Sequence, residues 1–262
     1  MRHREEARRS DPENKPHKKL LVWSASYLAV TTSDENDNMN IKPIAHIQTD
    51  FPTKFGIPRQ SGIIESLKGR IVFEPEYRNV EAVRGLEEFS HIWLLWEFSE
   101  AVHEGWSPTV RPPRLGGNVR KGVFATRSPF RPNPIGLSSV KLDKVEIDPK
   151  LGPVLHVSGA DLMDGTPIYD IKPYIAYTDS HPDAVSGFAT KPAEYLLEVE
   201  LPEELLQKVP EGRRESLIEV LAHDPRPQYH DDPERVYGMA FSGMEVKFKV
   251  AQQKLTVLEI TA

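Results

Sequence analysis

The sequence contains no cysteine. Disulfides and thiolate-based zinc sites are therefore excluded, and nothing in it points to an oxidising compartment. It also lacks an apolar run long enough to span a bilayer, which takes about 20 residues. The longest candidate, Leu20–Val30, has only eleven. It follows Lys18 and Lys19 like the core of a secretory signal, but it starts late and lacks a good small-x-small cleavage site. Positive charge is scarce too: 33 Lys and Arg stand against 39 Asp and Glu, a net charge of -6. That is not the usual balance of a nucleic-acid binder. These absences lead us to expect a soluble, cytoplasmic protein.

Several chemical motifs are missing as well. No G-x-G-x-x-G follows a strand, which argues against a Rossmann dinucleotide or common methyltransferase fold. Gly117 and Gly122 have P-loop spacing, but Val123 stands where the phosphate-binding Lys belongs. His103-Glu104 is followed by Ser107 rather than a second His, so the helical zinc motif is absent. Gly136-Leu-Ser-Ser-Val140 fails the nucleophile-elbow pattern at its last position. Asp161, Asp164 and Asp170 do not match a calcium loop. No metal is expected.

The 262 residues suffice for one large domain, or a main domain with a small appendix. Residues 1–40 begin charged and poor in apolar content, and we read them as a disordered N-terminal extension. Met39 immediately precedes the first well-patterned strand and is a candidate native start. From residue 41 to 184 the pattern is β. Strands are expected over Ile41–Ile47, Gly62–Ser66, Gly69–Phe73, His91–Phe98, Gly122–Ala125, Leu137–Ile147 and Val154–Ser158. The continuous apolar run at His91–Phe98 suits a strand buried on both sides. Many short strands joined by Gly- and Pro-rich turns indicate a mainly β fold, a barrel or a sandwich. Residues 185–262 read as a small α/β domain. It has helical periodicity over Pro202–Val209 and Arg213–Leu221, then a hairpin of Met244–Val250 and Lys254–Ile260.

Charge is unevenly distributed. From Val110 to Val145, Arg111, Arg114, Arg120, Lys121, Arg127, Arg131, Lys141 and Lys144 face Asp143 alone. Such a stretch in an acidic chain is either a solvated face or a phosphate-facing surface.

Four segments join polar groups to conformationally fixed Pro or Gly. Lys54–Gly62 (KFGIPRQSG) offers Arg59 and Gln60 beside Pro58, although an ordinary surface turn looks the same. Gly85–Trp93 puts Ser90 and His91 at a strand rim, where a His is more often a structural hydrogen-bonder. Gly122–Leu137 (GVFATRSPFRPNPIGL) holds Arg127 and Arg131 on a frame stiffened by Pro129, Pro132 and Pro134. A stiff frame lowers the entropy lost when the arginines grip an anion. Gly159–Tyr174 contains the turn signal Asp164-Gly165 and three carboxylates, which also suit turn capping.

These four segments, in this order, closely resemble the TrmO or TsaA-like family, densely over residues 41–183. Leu221–Tyr229 (LAHDPRPQY) resembles its C-terminal signature. The resemblance implies a non-Rossmann β-barrel methyltransferase that binds S-adenosylmethionine. It implies methylation of N6-threonylcarbamoyladenosine at position 37 of a threonine tRNA, and a homodimer. Carried over residue by residue, it implies cofactor contacts from Pro58, Arg59, Gln60, Ser90, His91, Arg127, Leu137, Asp164, Gly165, Thr166 and Pro167.

An acidified N6–H needs an acceptor, for which Asp164 and His91 are candidates. The threonyl carboxylate needs a cation, for which Arg131 is suited by its bidentate geometry. Arg111, Arg114, Arg120, Lys121, Arg226 and Tyr229 are candidate contacts to the tRNA anticodon loop. Two other readings stay open: a module that binds cofactor or RNA without catalysis, and a methyltransferase acting on a small-molecule amine.

Overall fold

The computed structural model describes residues 40–102, 105–189, 195–226 and 232–262. The N-terminal extension and Tyr229 therefore lie outside the described residues, as does the side chain of Arg114. Six antiparallel strands close a barrel in the order β1-β2-β7-β6-β3-β8. They are β1 (Ala45–Gln48), β2 (Lys68–Phe73), β3 (His91–Glu97), β6 (Ile135–Asp148), β7 (Gly152–Ser158) and β8 (Pro167–Pro173). Between β3 and β6 the chain inserts a small ribbon of β4 (Thr109–Val110) and β5 (Lys121–Gly122).

The barrel follows from period-two alternation. Ala45, Ile47, Ile71, Phe73, Ile92, Leu94, Trp96, Val140, Leu142, Leu155, Val157 and Ile168 form its core. Their sequence neighbours point outward. Register shifts at Leu95/Trp96 and Leu142/Lys144 break the ladder. Such bulges add local twist, which helps a short sheet curl onto itself.

Past the barrel come the short helix α1 (Ala176–Asp179) and a four-stranded sheet ordered β10-β11-β12-β9. Its strands are β9 (Glu198–Glu200), β10 (Tyr237–Phe241), β11 (Met244–Ala251) and β12 (Lys254–Thr261), with helices α2 (Glu203–Leu206) and α3 (Glu211–Ala222) between β9 and β10. β9 runs parallel to β12. A second core gathers here, and it includes Phe51, Ile64 and Leu67 from loops of the barrel region.

Four expectations change. Gly62–Ser66 is a turn rather than a strand: Gly62 takes φ +75°, and Ile64 packs into the second core while Ile63 is exposed. Of the expected Gly122–Ala125 strand only Gly122 is extended, as the end of Lys121–Gly122, and Val123–Ala125 coil into one 3-10 turn. β3 is not buried on both sides. Its burial alternates, and Trp93 on the outer face donates its indole N–H to Asp179 at 2.8 Å. β8 occupies a stretch read only as a polar loop; Pro167, Asp170 and Lys172 hid a strand that buries Ile168 alone. Among the described residues, no helix is long and apolar enough to cross a membrane.

Candidate active site

One end of the barrel collects most of the residues singled out in the sequence. The register puts Gly136 of β6 and Ile168 of β8 on either side of Trp96 in β3. Leu137 and Pro167 therefore flank the same end.

Three loops converge there on Asp161. Trp96 donates its indole N–H to the Ser138 hydroxyl at 3.0 Å, and Ser138 donates to Asp161 Oδ1 at 2.6 Å. Burial raises the Asp161 carboxyl above its usual range. Ser138, the backbone N–H groups of Asp161 and Ser61, and the charge of Arg127 all act against that rise. Arg127 in turn donates to the Gln60 side-chain oxygen, and Gln60 donates to the Arg59 carbonyl. The Pro58–Gln60 loop and the proline-stiffened loop, 67 residues apart in sequence, are thus tied together.

Arg131 braces this arrangement. Its Nη1 donates to the carbonyls of Thr126 at 3.0 Å and Ser128 at 3.3 Å, enclosing Arg127 between them. Leu137 lies beside the cluster with 55% of its surface exposed among the described residues, an apolar wall. On the neighbouring strand, Tyr169 is pushed up to about 12 by burial and by the Glu97 carboxylate beside it. It therefore stays a neutral hydroxyl donor.

The Asp164–Thr166 turn is bound to the end of β1. Asp164 N–H donates to the Phe51 carbonyl and Gly165 N–H to the Ile47 carbonyl, each at 2.8 Å. Asp164 Oδ1 accepts the Thr49 N–H at 2.9 Å. Thr166 is buried, with its hydroxyl on the Met163 carbonyl. Gly165 takes φ +76°, and a Cβ there would meet nothing within 4 Å. The turn is therefore built from inside and bare on its outer side, where the second oxygen of Asp164 remains.

Ser90 and His91 lie elsewhere. His91 pairs with Lys141, and Ile92 with Pro173, at the far end of the barrel. Six strand steps from Pro167 to Pro173 amount to about 20 Å. Asp164 and His91 of one chain therefore cannot both touch a single reacting atom. Ser90 and His91 share a hydrogen bond at 2.9 Å through Nδ1, and the His91 ring sits edge-on to Tyr174.

The expected RNA contacts divide. Arg111, Arg120 and Lys121 sit on the β4–β5 insert, where Arg120 Nη1 donates to the Thr109 hydroxyl at 2.8 Å. Arg226 differs: it grips Asp224 through Nε at 2.8 Å and Nη2 at 2.9 Å, with an 11% exposed side chain. Its charge is spent inside the fold, which leaves little for a phosphate.

The sequence reading passed over Asp161, Ser138 and Trp96 as site residues. One signal was available. Ser138 occupies an inward position between Gly136 and Val140, where a lone polar group needs a buried partner.

The arrangement fits S-adenosylmethionine by its donor set. Arg127 suits a carboxylate, Asp164 a hydroxyl pair, and Leu137 a flat apolar ring. The closed antiparallel barrel with charged loops at one rim is an architecture distinct from the Rossmann type, and the matching family makes it a β-barrel methyltransferase. The family model for the tRNA-methyltransferase O N-terminal domain matches residues 46–180, and that for the TrmO C-terminal domain matches residues 194–262. The chain belongs to the TrmO family.

Among its relatives, the tRNA (adenine(37)-N6)-methyltransferase of Escherichia coli (strain K12) is 41% identical over 231 residues, 85% of this chain and 98% of that one. The enzyme of the same name from Eikenella corrodens is 50% identical over 163 residues, 62% of this chain and 91% of that one. A crystal structure of TrmO from Pseudomonas aeruginosa superimposes with a TM-score of 0.70 at 34% identity. It covers 86% of this chain and 98% of that one.

Proposed function

We propose that this chain methylates N6 of the threonylcarbamoyl-modified adenine at position 37 of threonine tRNA, with S-adenosylmethionine as methyl donor. The observation that carries the proposal is the convergence of the Pro58–Gln60, Arg127–Arg131 and Asp161–Pro167 segments at one barrel end, in a chain that belongs to the TrmO family. The cofactor supplies an already activated methyl group. What remains for the protein is alignment and exclusion of water.

In this reading Arg127 holds the cofactor carboxylate, while Asp161, Ser138 and Gln60 hold Arg127. Leu137 covers an apolar face, and Asp164 and the bare Gly165 turn receive the ribose. The N6–H, acidified by the threonylcarbamoyl group, gives its proton to a nearby acceptor. His91 suits that role: it is exposed, Nδ1 is oriented by Ser90, and Nε2 has no hydrogen bond among the described residues. Asp164 is better placed to shape the turn. Arg131 keeps N–H groups beyond Nη1 for the threonyl carboxylate. Arg111, Arg120 and Lys121, with Arg114, take phosphates of the anticodon arm.

The chain acts as a cytoplasmic homodimer in this reading. Phe124 and Phe130 leave 74% and 54% of their surfaces exposed, large apolar side chains that a partner surface could cover. A second subunit would cover them and bring a His91 edge toward an Asp164 turn.

The test is incubation with labelled S-adenosylmethionine and threonine tRNA, with and without the threonylcarbamoyl group. Label confined to modified tRNA is the expected result. Cofactor binding with no transfer, or equal transfer to unmodified tRNA, overturns the proposal.

A further inference from the structure

A groove of about 510 Å³ runs along the outside of the barrel, between the edge of β1, strands β2 and β7, and helix α3. That volume lies within the range of small-ligand sites, about 300–1,000 Å³. The TrmO-type site described above does not use it. Asp50 forms part of its wall. This aspartate is only 6% exposed, and its Oδ1 takes the Arg213 Nε at 2.9 Å. Its Oδ2 is buried and makes no well-formed hydrogen bond, although the Ser242 hydroxyl lies close enough to lower the carboxyl against the burial that raises it. A buried carboxylate oxygen without a well-formed hydrogen bond is uncommon in folded proteins and marks a place where a hydrogen-bonding group is missing.

The cations around the groove are mostly answered from within. Lys68 pairs with Asp143 at 3.1 Å, and Lys144 and His156 share Glu146 at 3.0 and 2.7 Å. Arg70 is the exception. It is exposed and lines the groove, and it makes no ion pair among the described residues. Arg70 pairs across the sheet with Gln48, the last residue of β1, and Asp50 follows two residues later in the bend beyond it, no more than about 7 Å on. The groove thus presents one cation without an ion pair and, in its wall, one buried acceptor oxygen without a well-formed hydrogen bond, within reach of a single small unit. At its end, Thr49 lines the groove and also donates its N–H to Asp164 of the candidate cofactor turn. Groove and candidate site are contiguous.

A ribonucleotide meets this pair of demands. Its phosphate is an anion for Arg70, and its 2′-hydroxyl is a donor for Asp50. We propose that the groove seats a nucleotide of the substrate RNA away from the methylated base, with the phosphate on Arg70 and the 2′-hydroxyl on Oδ2 of Asp50. The inference rests on the reading that the substrate is tRNA. It adds that the anticodon arm crosses the outer face of the barrel toward α3, and that this contact distinguishes RNA from DNA.

The test uses the full chain, an anticodon stem-loop RNA and a DNA of the same sequence, with affinity measured across salt concentrations. Wild-type protein is expected to prefer the RNA. Arg70→Ala weakens both ligands and lowers the salt slope by about one. Asp50→Asn keeps an acceptor for Arg213 but weakens the RNA alone, closing most of the gap to DNA. Calorimetric titration with S-adenosylmethionine is unchanged in both variants. Should Asp50→Asn fail to fold, RNA carrying 2′-O-methyl groups replaces it, since it lacks the donor, and weaker binding of it supports the proposal. Wild-type binding that ignores the 2′ position, or an unaltered salt slope in Arg70→Ala, overturns the proposal. Methyl transfer by wild-type protein is followed in parallel. If it transfers to tRNA while the groove variants bind normally, the groove fails alone; if it transfers to no tRNA, the functional reading fails instead.

Discussion

At the scale of single residues, Asp161 separates two kinds of contribution. Its folded carboxyl titrates above the ordinary range because it is buried. A carboxyl raised in the folded state supports folding fully below its unfolded value, and that support is lost as pH climbs through the raised one. Asp161→Asn removes the loss while keeping an acceptor for Ser138. The variant's stability relative to wild type is therefore expected to rise as pH increases from the ordinary carboxyl range, and to level off once Asp161 is ionised in the folded protein. Urea denaturation in a pH series measures it, and a pH-independent difference would contradict the assignment. Function should move the other way, since Asn no longer supports Arg127 electrostatically. Hydrogen bonds to charged groups contribute about 1.5–3 kcal/mol. Arg127→Ala should therefore weaken S-adenosylmethionine about tenfold or more in a calorimetric titration, with Asp161→Asn intermediate. His91→Ala and Asp164→Ala should also differ: the first lowers kcat with cofactor affinity kept, and the second weakens cofactor binding. Steady-state kinetics beside direct titration decides, and identical profiles would remove His91 as the proton acceptor.

At the scale of elements, β3 and β6 meet through a packing constraint. A Cβ built on Gly136 would lie 2.3 Å from Cε2 of Trp96. The indole covers the bare backbone of its cross-strand partner, and this position holds its N–H on Ser138. Gly136→Ala must push the indole aside, at a cost of about 1–3 kcal/mol by overpacking. It should also release Ser138 from Trp96 and unsettle Asp161. A lower Tm together with weaker cofactor binding is expected, and a fully stable variant with normal binding would count against the coupling. The glycine ending the Arg127–Gly136 segment was visible in the sequence, but its reason was not, because Trp96 lies 40 residues upstream in sequence and meets it only across a ladder.

The same distinction explains what else was legible. Alternation exposed β1, β2, β6 and the β11–β12 hairpin, each with apolar residues on a period of two, and a short Val-rich run bounded by Gly-Pro and Ser-Gly exposed β7. β8 was masked by its polar residues and flanking prolines, and β9 is three residues long. Loop convergence at Asp161 was out of reach for a different reason: local sequence does not encode which loops a closed barrel brings to one rim. The linear order of the four segments also hid that Ser90–His91 and Asp164–Pro167 sit about 20 Å apart.

At the scale of the whole molecule, the chain is acidic overall, yet Arg111, Arg120 and Lys121 ride on one small insert. RNA binding should consequently weaken steeply with salt, by about 0.7 in log affinity per log salt for each single-stranded phosphate neutralised. A flat salt profile would contradict a backbone-contacting surface. Deleting residues 1–38 tests the proposed start at Met39, with activity expected to persist and loss of folding counting against it.

Phe51, Ile64 and Leu67 come from the barrel region but pack with Leu217, Val220, Leu221 and Phe241 of the C-terminal half, with the Phe51 and Phe241 rings edge-to-face at 5.4 Å. The sequence boundary near 184/185 thus runs beside a core that residues from both sides share. A fragment ending at 184 would leave Phe51 and its neighbours wet, and it should be prone to aggregation rather than behave as a portable catalytic module. In scanning calorimetry the intact chain should melt as one unit, so a cavity cut at Leu217, in the second core rather than among the cofactor loops, should lower the temperature at which methyl transfer itself is lost.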